Sequence, residues 1–115
     1  MRGEIWLANL DPAVGVEANK VNRPVVLVGV NGVILNTLAN NRGVLTVVPL
    51  TSNVERVRSF QVYLPAESTG LSVDSKAQCE QIRSIDVSRL HRAVGRVPSP
   101  LMDEVDDALR LHLGL

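Results

Sequence analysis

Ser99-Pro100-Leu101-Met102-Asp103-Glu104-Val105-Asp106-Asp107-Ala108-Leu109-Arg110-Leu111-His112-Leu113-Gly114 closes the chain with its one unambiguous helical pattern. Leu101, Met102, Val105, Ala108 and Leu109 recur at three- and four-residue spacing, and His112 or Leu113 continues the stripe. Ser99 predicts an N-cap, with Pro100 at the first helical position. Asp103 and Glu104 fall toward the positive end of the helix dipole, and Gly114 marks the stop. Almost everything before residue 99 reads as strand and turn. One helix after five to seven strands predicts an α+β domain dominated by antiparallel sheet.

The strands follow by working back to the start. Glu4 to Leu10 is apolar at Ile5, Trp6, Leu7 and Leu10, and Asp11-Pro12 stops it. Residues 12–22 form a loop. Pro24 opens the β-rich run Val25-Val26-Leu27-Val28, since proline is tolerated at a strand's first residue. Asn31-Gly32 is a turn signal, and the asparagine-rich stretch 31–42 fits either a loop or a short helix. Val44 to Leu50 is a strand whose Pro49 suggests its end or a sheet edge. Phe60, Val62 and Leu64 alternate with Gln61 and Tyr63, as in a half-buried strand. Val73, Ser75, Ala77 and Cys79 alternate with Asp74, Lys76, Gln78 and Glu80. Ile82 to Ile85 continues that strand or starts another, and Val94 to Val97 is one more.

The chain's 115 residues suit a single domain spanning 1–115. Apolar residues make up 45% of it, but there is one Trp, one Tyr and one Phe, so the core rests on Val, Leu and Ile. That excludes the aromatic base-stacking platform of many RNA-binding modules. A lone cysteine forms neither an internal disulfide nor a structural zinc site. With no apolar stretch fit for a signal peptide or a membrane span, the expected location is the reducing cytoplasm. The formal net charge is zero but segregated: residues 1–97 carry eleven Lys/Arg against eight Asp/Glu, and residues 98–115 carry one against four. The first balance, +3, leaves room for a local basic groove.

No phosphate-binding loop, dinucleotide fingerprint or metal-ligand cluster is present, so no metal or cofactor is expected. His91 lies among arginines and His112 beside the helix stripe, both positions of packing or surface histidines. Cys79 alternates into an apolar face as a small hydrophobe. What remains is a set of polar groups at strand ends. Arg23 directly precedes the 24–28 strand, Thr51-Ser52-Asn53 directly follows the 44–50 strand, and Glu80-Gln81 interrupts an apolar pattern. An arginine with nearby hydroxyls can hold a phosphate and stabilise a five-coordinate phosphorus. The same residues also fit an ion-paired arginine and an ordinary turn.

Several segments, in order along nearly the whole chain, resemble the MazF/PemK toxin family. Arg2-Gly3-Glu4-Ile5-Trp6 with Leu10-Asp11-Pro12 is similar to its opening strand and loop. Gly15-Val16-Glu17 followed by Arg23-Pro24-Val25-Val26-Leu27 resembles its G-S-E…R-P-V segment. Val48-Pro49-Leu50-Thr51-Ser52 resembles its P-x-T-S step, and Glu80-Gln81-Ile82-Arg83-Ser84-Ile85 its E-Q-I-R-[ST]-I block. Val16 replaces the family serine, and the Gly15-to-Arg23 spacing is one residue longer.

The resemblance implies a compact β-barrel-like fold shared with CcdB, and a homodimer. It implies a metal-independent endoribonuclease that cuts single-stranded RNA and is silenced by a MazE-like antitoxin. Arg23 and Thr51 stand at the family's catalytic positions. Glu17, Asn19, Lys20, Ser52, Asn53 and Gln81 become candidates to read or position bases. Because the folds are related, a second reading is a CcdB-like protein that inhibits DNA gyrase by binding it, without catalysis.

Overall fold

In the computed structural model, which describes residues 1–12, 14–15 and 22–115, runs of two or three strands are each followed by a helix. The strands are β1 (Glu4–Ala8), β2 (Arg23–Leu27), β3 (Val44–Thr51), β4 (Gln61–Leu64), β5 (Ser75–Gln78), β6 (Arg83–Asp86) and β7 (Leu90–Arg96). The helices are α1 (Asn31–Asn40), α2 (Ala66–Thr69) and α3 (Ser99–Leu113). Hydrogen-bonded strand order is β4-β5-β3-β2-β1-β7, with β6 also on β3 and every pairing antiparallel. The expected α+β class is what forms. The barrel-like expectation takes the shape of an open sheet, with β4 and β7 as its ends, rather than a closed ring.

Two cores lie on the two faces of this sheet, as period-2 alternation requires. Val26, Val48, Leu50, Val62 and Leu64 pack with Met102, Val105, Ala108 and Leu109 of α3. Val25, Leu27, Leu45, Val47 and Ile85 pack with Ile34 of α1. The stripe from Leu101 to Leu109 is thus the face α3 packs on the sheet, whereas His112 and Leu113, expected to continue it, are exposed past the edge of that contact. A bidentate pair holds this helix to the start of the chain: Arg2 Nη2 and Nη1 donate to the Asp106 carboxylate at 2.5 and 3.3 Å.

Four readings of local structure are corrected. Ser99 is already helical and makes no capping bond; the extended residue before the helix is Pro98, so Asp103 and Glu104 fall in its second turn. Asn31-Gly32 begins α1 instead of turning, because Ile34 and Thr37 are buried at helical spacing. Val73 lies outside β5 and is exposed, and Cys79 belongs to the one-turn 3₁₀ helix that separates β5 from β6. Pro49 is neither a strand end nor an edge. One side of β3 pairs with β6 through Val44–Val47 and with β5 at Leu50 and Thr51. Proline, which has no N–H to give, sits in the changeover between those two partners.

Candidate active site

The β2–β3 register pairs Val25 with Pro49, Val26 with Val48 and Leu27 with Val47. Carried two residues toward the strand ends, the same register sets Arg23 opposite Thr51 on one face. Directly opposed side chains on an antiparallel pair are close neighbours, with Cβ atoms about 5 Å apart. The two residues line one cavity of about 150 Å³, together with Pro24, Leu50, Ser52, Val73 and Ser75. That is room for several waters at ~30 Å³ each, and so for a phosphate group.

Arg23 is half-buried at the rim of the sheet, and its Nη1 donates to the Leu50 carbonyl at 3.0 Å. Burial pulls its pKa below the ordinary arginine value. Thr51 Oγ1 accepts from the Asn53 backbone N–H at 3.3 Å, and Asn53 Oδ1 accepts from the Glu55 N–H at 3.4 Å. These bonds turn the chain out of β3 directly after Thr51 and leave Ser52 and Asn53 exposed. The cavity therefore presents a cationic fork from β2 and hydroxyls from β3 and β5, the donor set that suits a phosphate.

Gln81 is placed elsewhere. It lines a separate cleft of about 310 Å³ with Glu80, Ile82 and Arg83. Glu80 Oε2 accepts from Gln61 Nε2 at 2.7 Å. Among the described residues, Glu80 Oε1, Gln78 Oε1 and Arg83 Nη1 are buried without a hydrogen-bond partner. Asn53 does not line the Arg23–Thr51 cavity, although it turns the chain beside it. Val16, Glu17, Asn19 and Lys20 lie outside the described residues.

The other nucleophiles and bases behave as their sequence positions suggest. Cys79 is fully buried and free, and burial pushes its thiol up to about 12. His91 is exposed on β7 and does not line the cavity. His112 is exposed near the end of α3, its ring 6.3 Å from that of Phe60. Among the described residues, no group of three His, Cys, Asp or Glu gathers to hold a metal ion, and no helix is long and apolar enough to cross a membrane. Sequence reasoning passed over Ser75, a cavity wall residue that is 3% exposed. The available signal was a serine at an inward position of an otherwise apolar alternation. It also passed over Arg92, which lines the adjoining cleft.

Comparison with known proteins agrees with this architecture. Residues 1–113 match the family described as PemK-like, MazF-like toxin of type II toxin-antitoxin system. The chain is 53% identical to Endoribonuclease MazF9 of Mycobacterium tuberculosis (strain ATCC 25618 / H37Rv), over 99% of this chain and 96% of the relative. It is 34% identical to Endoribonuclease EndoA of Bacillus subtilis (strain 168), over 99% and 94%. Among solved structures it resembles MazF from Deinococcus radiodurans, with a TM-score of 0.81 and 25% identity over 99% and 96% of the two chains.

Proposed function

Since the chain belongs to the PemK-like, MazF-like toxin family of type II toxin–antitoxin systems, we propose that its Arg23–Thr51 cavity is the phosphate site of an endoribonuclease. The chain is an RNA-cleaving toxin, as its named relatives are. The observation that carries the assignment of the site is the meeting of Arg23 and Thr51 across β2 and β3 in one phosphate-sized cavity.

RNA supplies its own nucleophile. The 2′-OH attacks the adjacent phosphorus, the P–O5′ bond breaks, and the products are a 2′,3′-cyclic phosphate and a free 5′-OH. The protein has to hold the in-line geometry and stabilise the charge that builds on the phosphorane. Arg23 grips the nonbridging oxygens. Its depressed pKa leans toward proton donation, yet a guanidinium remains a cation at neutral pH, so charge stabilisation is its main part. Thr51 donates a hydrogen bond from its hydroxyl to a phosphate oxygen. Ser52, Asn53 and Gln81, together with Glu17, Asn19 and Lys20, read or position bases, as suits the exposed edges of a single strand. No metal or cofactor enters the scheme.

The toxin works in the cytoplasm as a homodimer, two copies lining a longer groove than one can close. Its antitoxin lays an acidic segment across the groove, drawn by the +3 balance of residues 1–97. The gyrase-binding alternative has no comparable observation behind it.

The test incubates purified protein with a long single-stranded RNA in EDTA and maps the product ends. Cleavage leaving 2′,3′-cyclic phosphates supports the proposal. Intact RNA together with inhibited gyrase turnover overturns it.

A further inference from the structure

A second cleft, about 300 Å³ in volume, adjoins the Arg23–Thr51 cavity and shares Pro24, Val73 and Ser75 with it as common walls. It runs toward the free edge of the sheet. β1 pairs Leu7 with Pro24 on one side and with Arg92 on the other, so Arg92, Leu7 and Pro24 form one row across three strands. Two strand spacings separate the ends of that row, roughly 10 Å at ~4.8 Å each. Leu71 and Val94 complete an apolar wall, and the Ser72 hydroxyl belongs to the same lining.

Arg92 is exposed at the far end, on strand β7 at the sheet's edge. Among the described residues no carboxylate pairs with it. The arrangement is therefore apolar in the middle and cationic at both ends, with Arg23 at one and Arg92 at the other. A nucleotide unit has the complementary form: an apolar base face and sugar between two phosphates. A carboxylate-bearing peptide matches the cations but makes no use of their separation by an apolar cleft continuous with the phosphate cavity.

We propose that this cleft seats the nucleotide next to the scissile phosphate, its base and ribose against Leu7, Leu71 and Val94, with Arg92 holding the next phosphate. The proposal rests on Arg23 and Thr51 holding the scissile phosphate. It adds a residue that binds substrate without touching the reacting atoms. Arg92 then governs affinity and the minimum RNA length, while the chemical step stays with Arg23 and Thr51.

The experiment compares the full-length protein with Arg92→Gln and Arg92→Lys. The substrates are oligoribonucleotides centred on one mapped cleavage site and shortened from either end. Arg92→Gln is expected to raise KM about fivefold at low salt, the scale of one exposed ion pair. The single-turnover rate at saturating RNA stays within twofold of wild type. The slope of log binding constant against log salt falls by about 0.7, the value for one single-strand phosphate contact. Arg92→Lys restores most of the slope. The KM difference vanishes once the RNA is trimmed to the scissile dinucleotide, or when the single phosphate next to it is replaced by a neutral methylphosphonate.

Equal salt slopes for the two proteins, or a KM difference that persists on the trimmed RNA, would overturn the inference. So would a variant that binds RNA normally but loses affinity for an acidic antitoxin peptide. The parent reading has its own control. A folded Arg23→Ala protein with near-native cleavage sinks the phosphate site itself, whatever Arg92→Gln does.

Discussion

Replacing Arg23 by alanine has a structural effect and a catalytic one, and the structure allows them to be separated. The first is the loss of the bond from Nη1 to the Leu50 carbonyl at 3.0 Å. A hydrogen bond of this kind contributes a net ~1 kcal/mol. Arg23 is only half-buried, so water can take over the carbonyl when the guanidinium goes. Against a typical domain stability of 5 to 15 kcal/mol, on the order of that for most proteins, the loss leaves the fold standing. The second, under the proposed mechanism, is the loss of the preorganised cation that faces the phosphorane. Deleting one such donor typically lowers the rate about a hundred- to a thousandfold, or roughly 2.7 to 4 kcal/mol of barrier. Catalysis therefore collapses while stability barely moves. Arg23→Lys recovers little, because an ammonium cannot reproduce the planar two-pronged grip. Thr51→Val keeps the side-chain shape and deletes the hydroxyl, and the Asn53 N–H it abandons is exposed to water. If both groups address one phosphate, the double variant loses far less than the product of the single losses. The assay is single-turnover cleavage of one short RNA, with circular dichroism to verify folding. A folded Arg23→Ala enzyme that cleaves at near-native rate refutes the mechanism. Strictly multiplicative losses refute the shared phosphate. His91→Ala, altered outside the cavity, should be near neutral; a dead His91→Ala protein would replace the scheme with a histidine-based one.

Three further expectations concern the scaffold. A Cβ at Gly95 would stand 2.5 Å from the Thr69 carbonyl oxygen, so Gly95→Ala should cost about 1 to 3 kcal/mol, read by urea denaturation. Asp106→Asn should cost about 1 kcal/mol at low salt by weakening the half-buried pair with Arg2, and less at 1 M salt, where the screening length is about 3 Å. The Cys79 thiol is held neutral by burial, pushed up to about 12 from its ordinary 9.0. An acid whose pKa is raised by folding contributes stability below its unfolded value and loses it as pH rises through the folded one. Stability should therefore decline from about pH 9 upward. The exposed Tyr63, raised by its hydrogen bond to Asp74, adds to the same alkaline loss. Cys79→Ala should flatten the decline in alkaline urea titrations; an unchanged slope would show that the thiol takes no part.

How much of this was legible in the sequence depended on the range of the interactions. α3 could be read because its stripe is local and uninterrupted. The strand at Gln61–Leu64 could be read in part for the same reason, since Tyr63 meets solvent between buried Val62 and Leu64, but Phe60 falls in the turn before it and Gln61, expected on the solvent face, is buried. α1 was ambiguous because the four asparagines of residues 31–42 dilute its pattern, and only its packing with Leu45, Val47 and Ile85 shows that Ile34 is buried. Pro49 misled because its tolerance depends on where β6 gives way to β5, a fact of topology. At the site, Arg23 and Thr51 were visible as strand-end residues, but their pairing needed the β2–β3 register. Ser75 and Arg92 come from strands remote in sequence, and no local pattern marks them as neighbours of Arg23.

The changeover on β3 has a mechanical consequence. β3 is the common member of two groups of strands, one with β1, β2, β6 and β7, the other with β4 and β5. Arg23 hangs from the first group, and Ser75 from the second, with Thr51 at the end of the shared strand just past the seam. Any shear between the two groups thus changes the spacing of the very side chains that meet in the cavity. Conversely, an anion gripped by all three acts as a rivet through the seam. Inorganic phosphate at many times its dissociation constant should then stiffen the joint as well as fill it. Amide exchange would slow in β5 and β2 together, and would be left unaltered in the last turn of α3.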